Sequence, residues 1–68
     1  MTIQDFKDSA KEIRKIDTVM GTKGIRYNSG RFMIDEIKKP YREIRYKYGT
    51  EYGLKNISED EFLTLLNE

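Results

Sequence analysis

Apolar residues in the first third of the chain recur at helical spacing. Ile3, Phe6, Ala10, Ile13 and Met20 are three, four and seven residues apart, and Ile16 widens the stripe. This period predicts an amphipathic helix over residues 3–20. Thr2 supplies a side-chain oxygen suited to an N-cap, and Asp5 places a negative charge in the first turn, where the helix dipole favours it. Gly21 and Gly24, on either side of Thr22-Lys23, end the pattern.

Between residues 25 and 48 the pattern changes to alternation. Taking Ser29-Gly30 as a two-residue hairpin turn sets Tyr27 opposite Phe32, Arg26 opposite Met33 and Ile25 opposite Ile34. Taking Lys38-Lys39-Pro40 as the next turn sets Ile34 opposite Ile44, Phe32 opposite Tyr46 and Asp35 opposite Glu43. Both turns put Ile25, Tyr27, Phe32, Ile34, Ile44 and Tyr46 on one face, because side chains alternate with period two. The pattern therefore predicts a three-stranded antiparallel meander with strands at 25–28, 31–37 and 41–48. A helical alternative exists for residues 29–39 and 41–48: Pro40 suits a first helical turn, and Tyr41, Ile44 and Tyr48 are three and four apart. The concentration of Ile and Tyr favours strand.

Residues 49–57 read as a connection carrying Tyr52 and Leu54. A second helix over 59–67 follows. Ser58 is its N-cap, Glu61 completes a capping box, and Ile57 and Phe62 form the matching hydrophobic staple. The expected fold is a single small α+β domain of order α-β-β-β-α. It has two layers, with a long N-terminal and a short C-terminal helix on one sheet face.

Composition limits the chemistry. The 68 residues include no Cys, His or Trp and one Pro. Zinc sites of the Cys/His kind, disulfides and thiol or imidazole nucleophiles are excluded. Gly21-Thr22-Lys23-Gly24 lacks the spacing of a phosphate-binding loop. No enzyme, cofactor, metal or small-molecule substrate is expected. The N-terminus has no basic stretch followed by an apolar one, and no apolar run approaches the ~20 residues needed to span a bilayer, so a cytoplasmic protein without membrane contact is expected.

Charge adds the strongest functional hint. Thirteen basic and twelve acidic residues leave a formal +1, but residues 21–48 carry eight basic and three acidic groups, and residues 49–68 one basic and five acidic. The sheet face away from the helices would present Arg26, Asn28, Arg31, Arg45 and Lys47, with Lys38 and Lys39 at a turn. That set suits phosphate contacts, with Arg26, Asn28 and Arg45 placed for base edges. Met33, Ile37 and Tyr41 would cluster at one end of the same face, a candidate contact for a protein partner or a second copy. Asp35 and Glu43 would meet as like charges, which is unfavourable.

The run Gly24-Ile25-Arg26-Tyr27 resembles the first strand of the helix-backed three-stranded sheets in integrase arm-binding domains and plant AP2-type domains. The resemblance is architectural, extends over residues 24–48 and shares no specific motif. In this chain the long helix comes first rather than last. It implies nucleic-acid binding through the sheet. The expected function is a small regulatory or accessory protein of bacterial or phage type that binds nucleic acid. The alternative is a protein-interaction module such as an inhibitor or an antitoxin-like regulator.

Overall fold

Every strand but the two outermost has a hydrogen-bonding neighbour on each side, because the chain folds back on itself at each turn. In the computed structural model, which describes residues 1–68, this produces one five-stranded antiparallel sheet with two short helices, a mixed α+β fold. The elements are α1 (Ile3–Asp8), β1 (Glu12–Asp17), β2 (Lys23–Ser29), β3 (Phe32–Lys39), β4 (Glu43–Thr50), β5 (Gly53–Ile57) and α2 (Glu59–Leu66). The strands pair in chain order. No helix is long and apolar enough to cross a membrane.

Two expectations are corrected. The helix expected over 3–20 stops after Asp8, and residues 12–17 form a strand instead. The N-terminal turn is well capped: Thr2 Oγ1 accepts from the Asp5 amide at 3.1 Å, and Asp5 Oδ2 accepts from the Thr2 amide at 3.0 Å. Beyond it, an isolated helix is marginal, whereas β1 pairs along its whole length with β2, from Glu12 opposite Asn28 to Asp17 opposite Lys23. Ile13 and Ile16, three apart, then point to opposite faces rather than sharing a stripe. The segment expected to connect sheet and helix also contains a strand, β5, paired to β4 around the Glu51-Tyr52 turn. The sheet thus has five strands rather than three, and the long helix on which the likeness to helix-backed three-stranded domains partly rested is absent.

The registers of the central hairpins also differ, by an even number of positions. The β2–β3 turn is Gly30-Arg31, with Ser29 opposite Phe32 and Tyr27 opposite Ile34. Gly30 has φ +61° and is the first of the two loop residues, the position where a type II′ turn wants glycine. Across β3 and β4, Ile34 faces Tyr46, Phe32 faces Tyr48, and Asp35 faces Arg45 rather than Glu43. A slide of two residues leaves every side chain on its original face. The expected apolar face therefore survives, while the like-charge pair is replaced by opposite charges.

That face carries the core. Phe6 of α1, Ile34 of β3 and Phe62 of α2 are its buried centre, surrounded by Ile3, Tyr27, Phe32, Tyr46, Ile57 and Leu66. Ile44, expected in the core, is 47% exposed near the sheet end. Half of the expected α2 capping box forms: Ser58 Oγ accepts from the Glu61 amide at 3.1 Å, but the Glu61 side chain does not return a bond to the Ser58 amide, and Ile57 and Phe62 both belong to the core cluster. Asn67 Nδ2 donates to the carbonyls of Met1 and Leu63, tying the end of α2 to the residue preceding the α1 cap.

Phe62→Ala is expected to cost about 3–5 kcal/mol. A core of this size supplies a total of about that much. Circular dichroism should therefore find this variant largely unfolded, whereas Ser58→Ala, losing about 1 kcal/mol, should fold with a lower urea midpoint.

Candidate nucleic-acid interface

The face away from the helices is built from alternate residues of all five strands. Across it run three rows: Glu12, Asn28, Met33, Lys47 and Asn56; then Arg14, Arg26, Asp35 and Arg45; then Ile16, Gly24, Ile37 and Glu43. No helix covers these rows, yet Met33, Asp35 and Ile37 on the central strand are buried. Long neighbouring side chains close over Asp35. Arg26 grips its carboxylate with two hydrogen bonds, Nε to Oδ1 at 2.8 Å and Nη2 to Oδ2 at 3.1 Å. Lys47 Nζ approaches Oδ2 at 3.0 Å from the other side. The aliphatic stems of such residues shield apolar neighbours while their heads stay near water. At Gly24 the β2–β3 register shifts, and a Cβ there would collide with the Glu36 carbonyl oxygen.

This arrangement decides which cations are available. Arg26 and Lys47 are held by Asp35, Arg45 bonds Glu43 at 3.0 Å, and Arg14 bonds Glu12 at 3.1 Å. On the helix side, Lys7 pairs with Glu36 at 3.2 Å and lies over the Tyr27 ring. All four basic residues in these three rows are thus ion-paired. The remaining eight cations of the chain are Lys11, Lys15, Lys23, Arg31, Lys38, Lys39, Arg42 and Lys55, and none of them forms an ion pair.

Four of these eight gather at one end of the sheet. Lys23 opens β2 directly opposite Lys39, which closes β3. Lys38 precedes Lys39, and Arg42 lies in the turn that follows. Tyr41, in the same turn, is 60% exposed. Lys38, Lys39 and Arg42 line an open cleft of about 650 Å³ together with Glu36, Ile37, Glu43 and Ile44. The two acids on its wall already have partners, Lys7 and Arg45.

The residues singled out from the sequence are therefore distributed unevenly. Lys38 and Lys39 stand at the cationic end. Arg26, Arg45 and Lys47 lie on the open face in ion pairs, and Asn28 is half-buried there between Glu12 and Met33. Arg31 is exposed in the Gly30-Arg31 turn at the opposite end. Of the apolar trio, Met33 and Ile37 are buried and Tyr41 is on the surface. Sequence reasoning missed Lys23 and Arg42 as members of the cluster. The signal for Lys23 was the correct β2–β3 register, which pairs it with Lys39.

Electrostatics at Asp35 follow from its surroundings. Burial pushes the carboxyl pKa up, but hydrogen bonds and charge from Arg26 and Lys47 outweigh it, and the net direction is down. A carboxyl depressed on folding stabilises the fold at pH values above the ordinary aspartate range. That contribution is lost as pH falls through the lower folded value. No protein-family model matches the chain, and no curated protein or solved structure matches it.

Asp35→Asn leaves Arg26 and Lys47 without a counter-charge. It should cost about 3 kcal/mol at neutral pH, the low end for breaking a buried pair, because Arg26 keeps part of its hydration. Urea midpoints should also show the parent losing stability below about pH 4, with a smaller acid loss in the variant.

Proposed function

We propose that this chain is a small non-catalytic accessory protein that binds nucleic acid, engaging phosphates through the cationic end of its sheet. The observation that carries this reading is the distribution of unpaired cations. The middle of the open face has its basic groups Arg14, Arg26, Arg45 and Lys47 occupied by Glu12, Asp35 and Glu43, whereas Lys23, Lys38, Lys39 and Arg42 at the sheet end stand together with none. Cations held by carboxylates must give up a partner to meet a phosphate, and unpaired ones need not. A set of lysines and an arginine beside an exposed tyrosine suits a polyanion with bases to stack, since phosphate contacts supply affinity and aromatic rings accept any base. Acidic groups concentrate elsewhere, with Glu59, Asp60 and Glu61 in the first turn of α2, where they favour the helix dipole.

Salt-titrated fluorescence anisotropy with labelled duplex and single-stranded oligonucleotides tests this. The affinity should fall steeply between about 50 and 200 mM salt, with each neutralised phosphate contributing about −0.9 to the log–log slope on duplex. Lys38→Ala, Lys39→Ala and Arg42→Ala should each weaken binding and flatten the slope by about one such increment. Lys55→Ala on β5 should leave both unchanged. Absence of binding to either oligonucleotide at about 50 mM salt, where electrostatic contacts are strong, overturns the proposal.

A further inference from the structure

The tip of the β1–β2 hairpin has no role in the fold. Val19 and Met20 are 105% and 88% exposed; among the other large apolar side chains, Tyr52 in the β4–β5 turn is as open at 92%, and the rest keep more of their surface covered. The loop that holds them is nevertheless well built. The Thr18 amide donates to the Thr22 carbonyl at 3.0 Å, the Gly21 amide to the Thr18 carbonyl at 3.0 Å, and the Thr22 amide to Thr18 Oγ1 at 3.2 Å. Gly21 takes φ +88°, which lets the chain turn back into β2. The polar groups of the loop are spent on closing the turn, and two apolar side chains are left facing water.

Position gives these side chains a context. The tip extends past Lys23, which is level with Lys39, and therefore stands at the same end of the sheet as Lys38, Arg42 and Tyr41. The one acid at the base of the hairpin is Asp17, opposite Lys23 in the ladder. An apolar point in front of a bank of unpaired cations matches the chemistry of duplex DNA read by wedge insertion. The cations take phosphates on either side of the groove, and the apolar side chains enter between two base pairs and bend the duplex. Width decides which groove. A two-stranded ribbon fits the major groove of about 12 Å, but only tip side chains fit a minor groove of about 6 Å, and here the apolar residues are confined to the tip. An anionic lipid surface would also attract the cations. Two short side chains, however, offer fewer apolar carbons than a single myristoyl chain, which alone holds a protein to a membrane only marginally.

Resting on the nucleic-acid reading above, we infer that Val19 and Met20 form a wedge that enters the minor groove of duplex DNA and bends it, while Lys23, Lys38, Lys39 and Arg42 hold the flanking phosphates. The preferred targets are flexible pyrimidine–purine steps, where unstacking costs least.

The test is energy transfer between dyes at the two ends of a roughly 30-base-pair duplex with one central TA step, read beside anisotropy across salt concentrations. The parent protein should bring the ends closer. Val19→Ser combined with Met20→Ser, two fully exposed positions whose folding is checked by circular dichroism, should abolish the shortening. It should weaken duplex binding about tenfold with an unchanged salt slope. Binding without any shortening, or shortening that survives the double substitution, overturns the wedge and leaves the phosphate-binding reading intact. Failure to bind any nucleic acid overturns both. Binding confined to single strands, or to phosphatidylserine vesicles in a manner that depends on Val19 and Met20, overturns the inference in favour of that surface.

Discussion

The structure depends on the burial of Phe62 against other aromatic rings. Its side chain is fully buried, with ring centroids 5.3 Å from Phe6, 5.4 Å from Phe32 and 5.4 Å from Tyr46. The Phe6 and Phe32 contacts are edge-on, the arrangement that brings positive ring edges to negative faces. These rings come from α2, α1, β3 and β4, so one side chain joins both helices to the centre of the sheet. Six residues in the whole chain are buried, and one of those is charged. With so little core, the placement of α2 is decisive, and its cap and staple hold Phe62 at the required angle.

The buried charge organises the other face. Asp35 sits on the central strand, where a carboxylate without partners would be costly, and Arg26 and Lys47 on the flanking strands satisfy it. No buried side-chain polar atom is left without a hydrogen bond. This has a functional side as well as a structural one. Cations drawn inward to Asp35 and sideways to Glu12 and Glu43 make the middle of the sheet face close to neutral, and the free positive charge of the middle segment falls to the strand ends and turns. A sheet that looks basic in composition is basic chiefly at its end.

The same hairpin geometry that gathers Lys23 and Lys39 also lifts Val19 and Met20 clear of the body. β1 is an edge strand with five of its six residues exposed, paired only to β2. Charged side chains along such an edge discourage pairing with other chains. The ribbon can therefore project from a small domain without offering its backbone as a template, and its apolar tip remains the feature with the least structural explanation.

The sequence by itself determined the closing helix, the apolar sheet face and the absence of His and Cys chemistry. These rest on local rules: an N-cap and staple around Ser58 and Phe62, and period-two alternation from Ile25 to Tyr48, which tolerates an error of two residues in register. Only the tertiary structure decided that residues 12–17 are a strand, that β5 exists, and which cations are free. The spacing of Ile13 and Ile16 suits a helix as well as a strand, and what tips it is the ladder offered by β2, a partner some ten residues away. The availability of Arg26, Lys47 and Lys23 depends in the same way on cross-strand neighbours. Ion pairing is set by distances of a few ångströms between residues far apart in the chain, and a composition count adds such residues together without recording which of them meet.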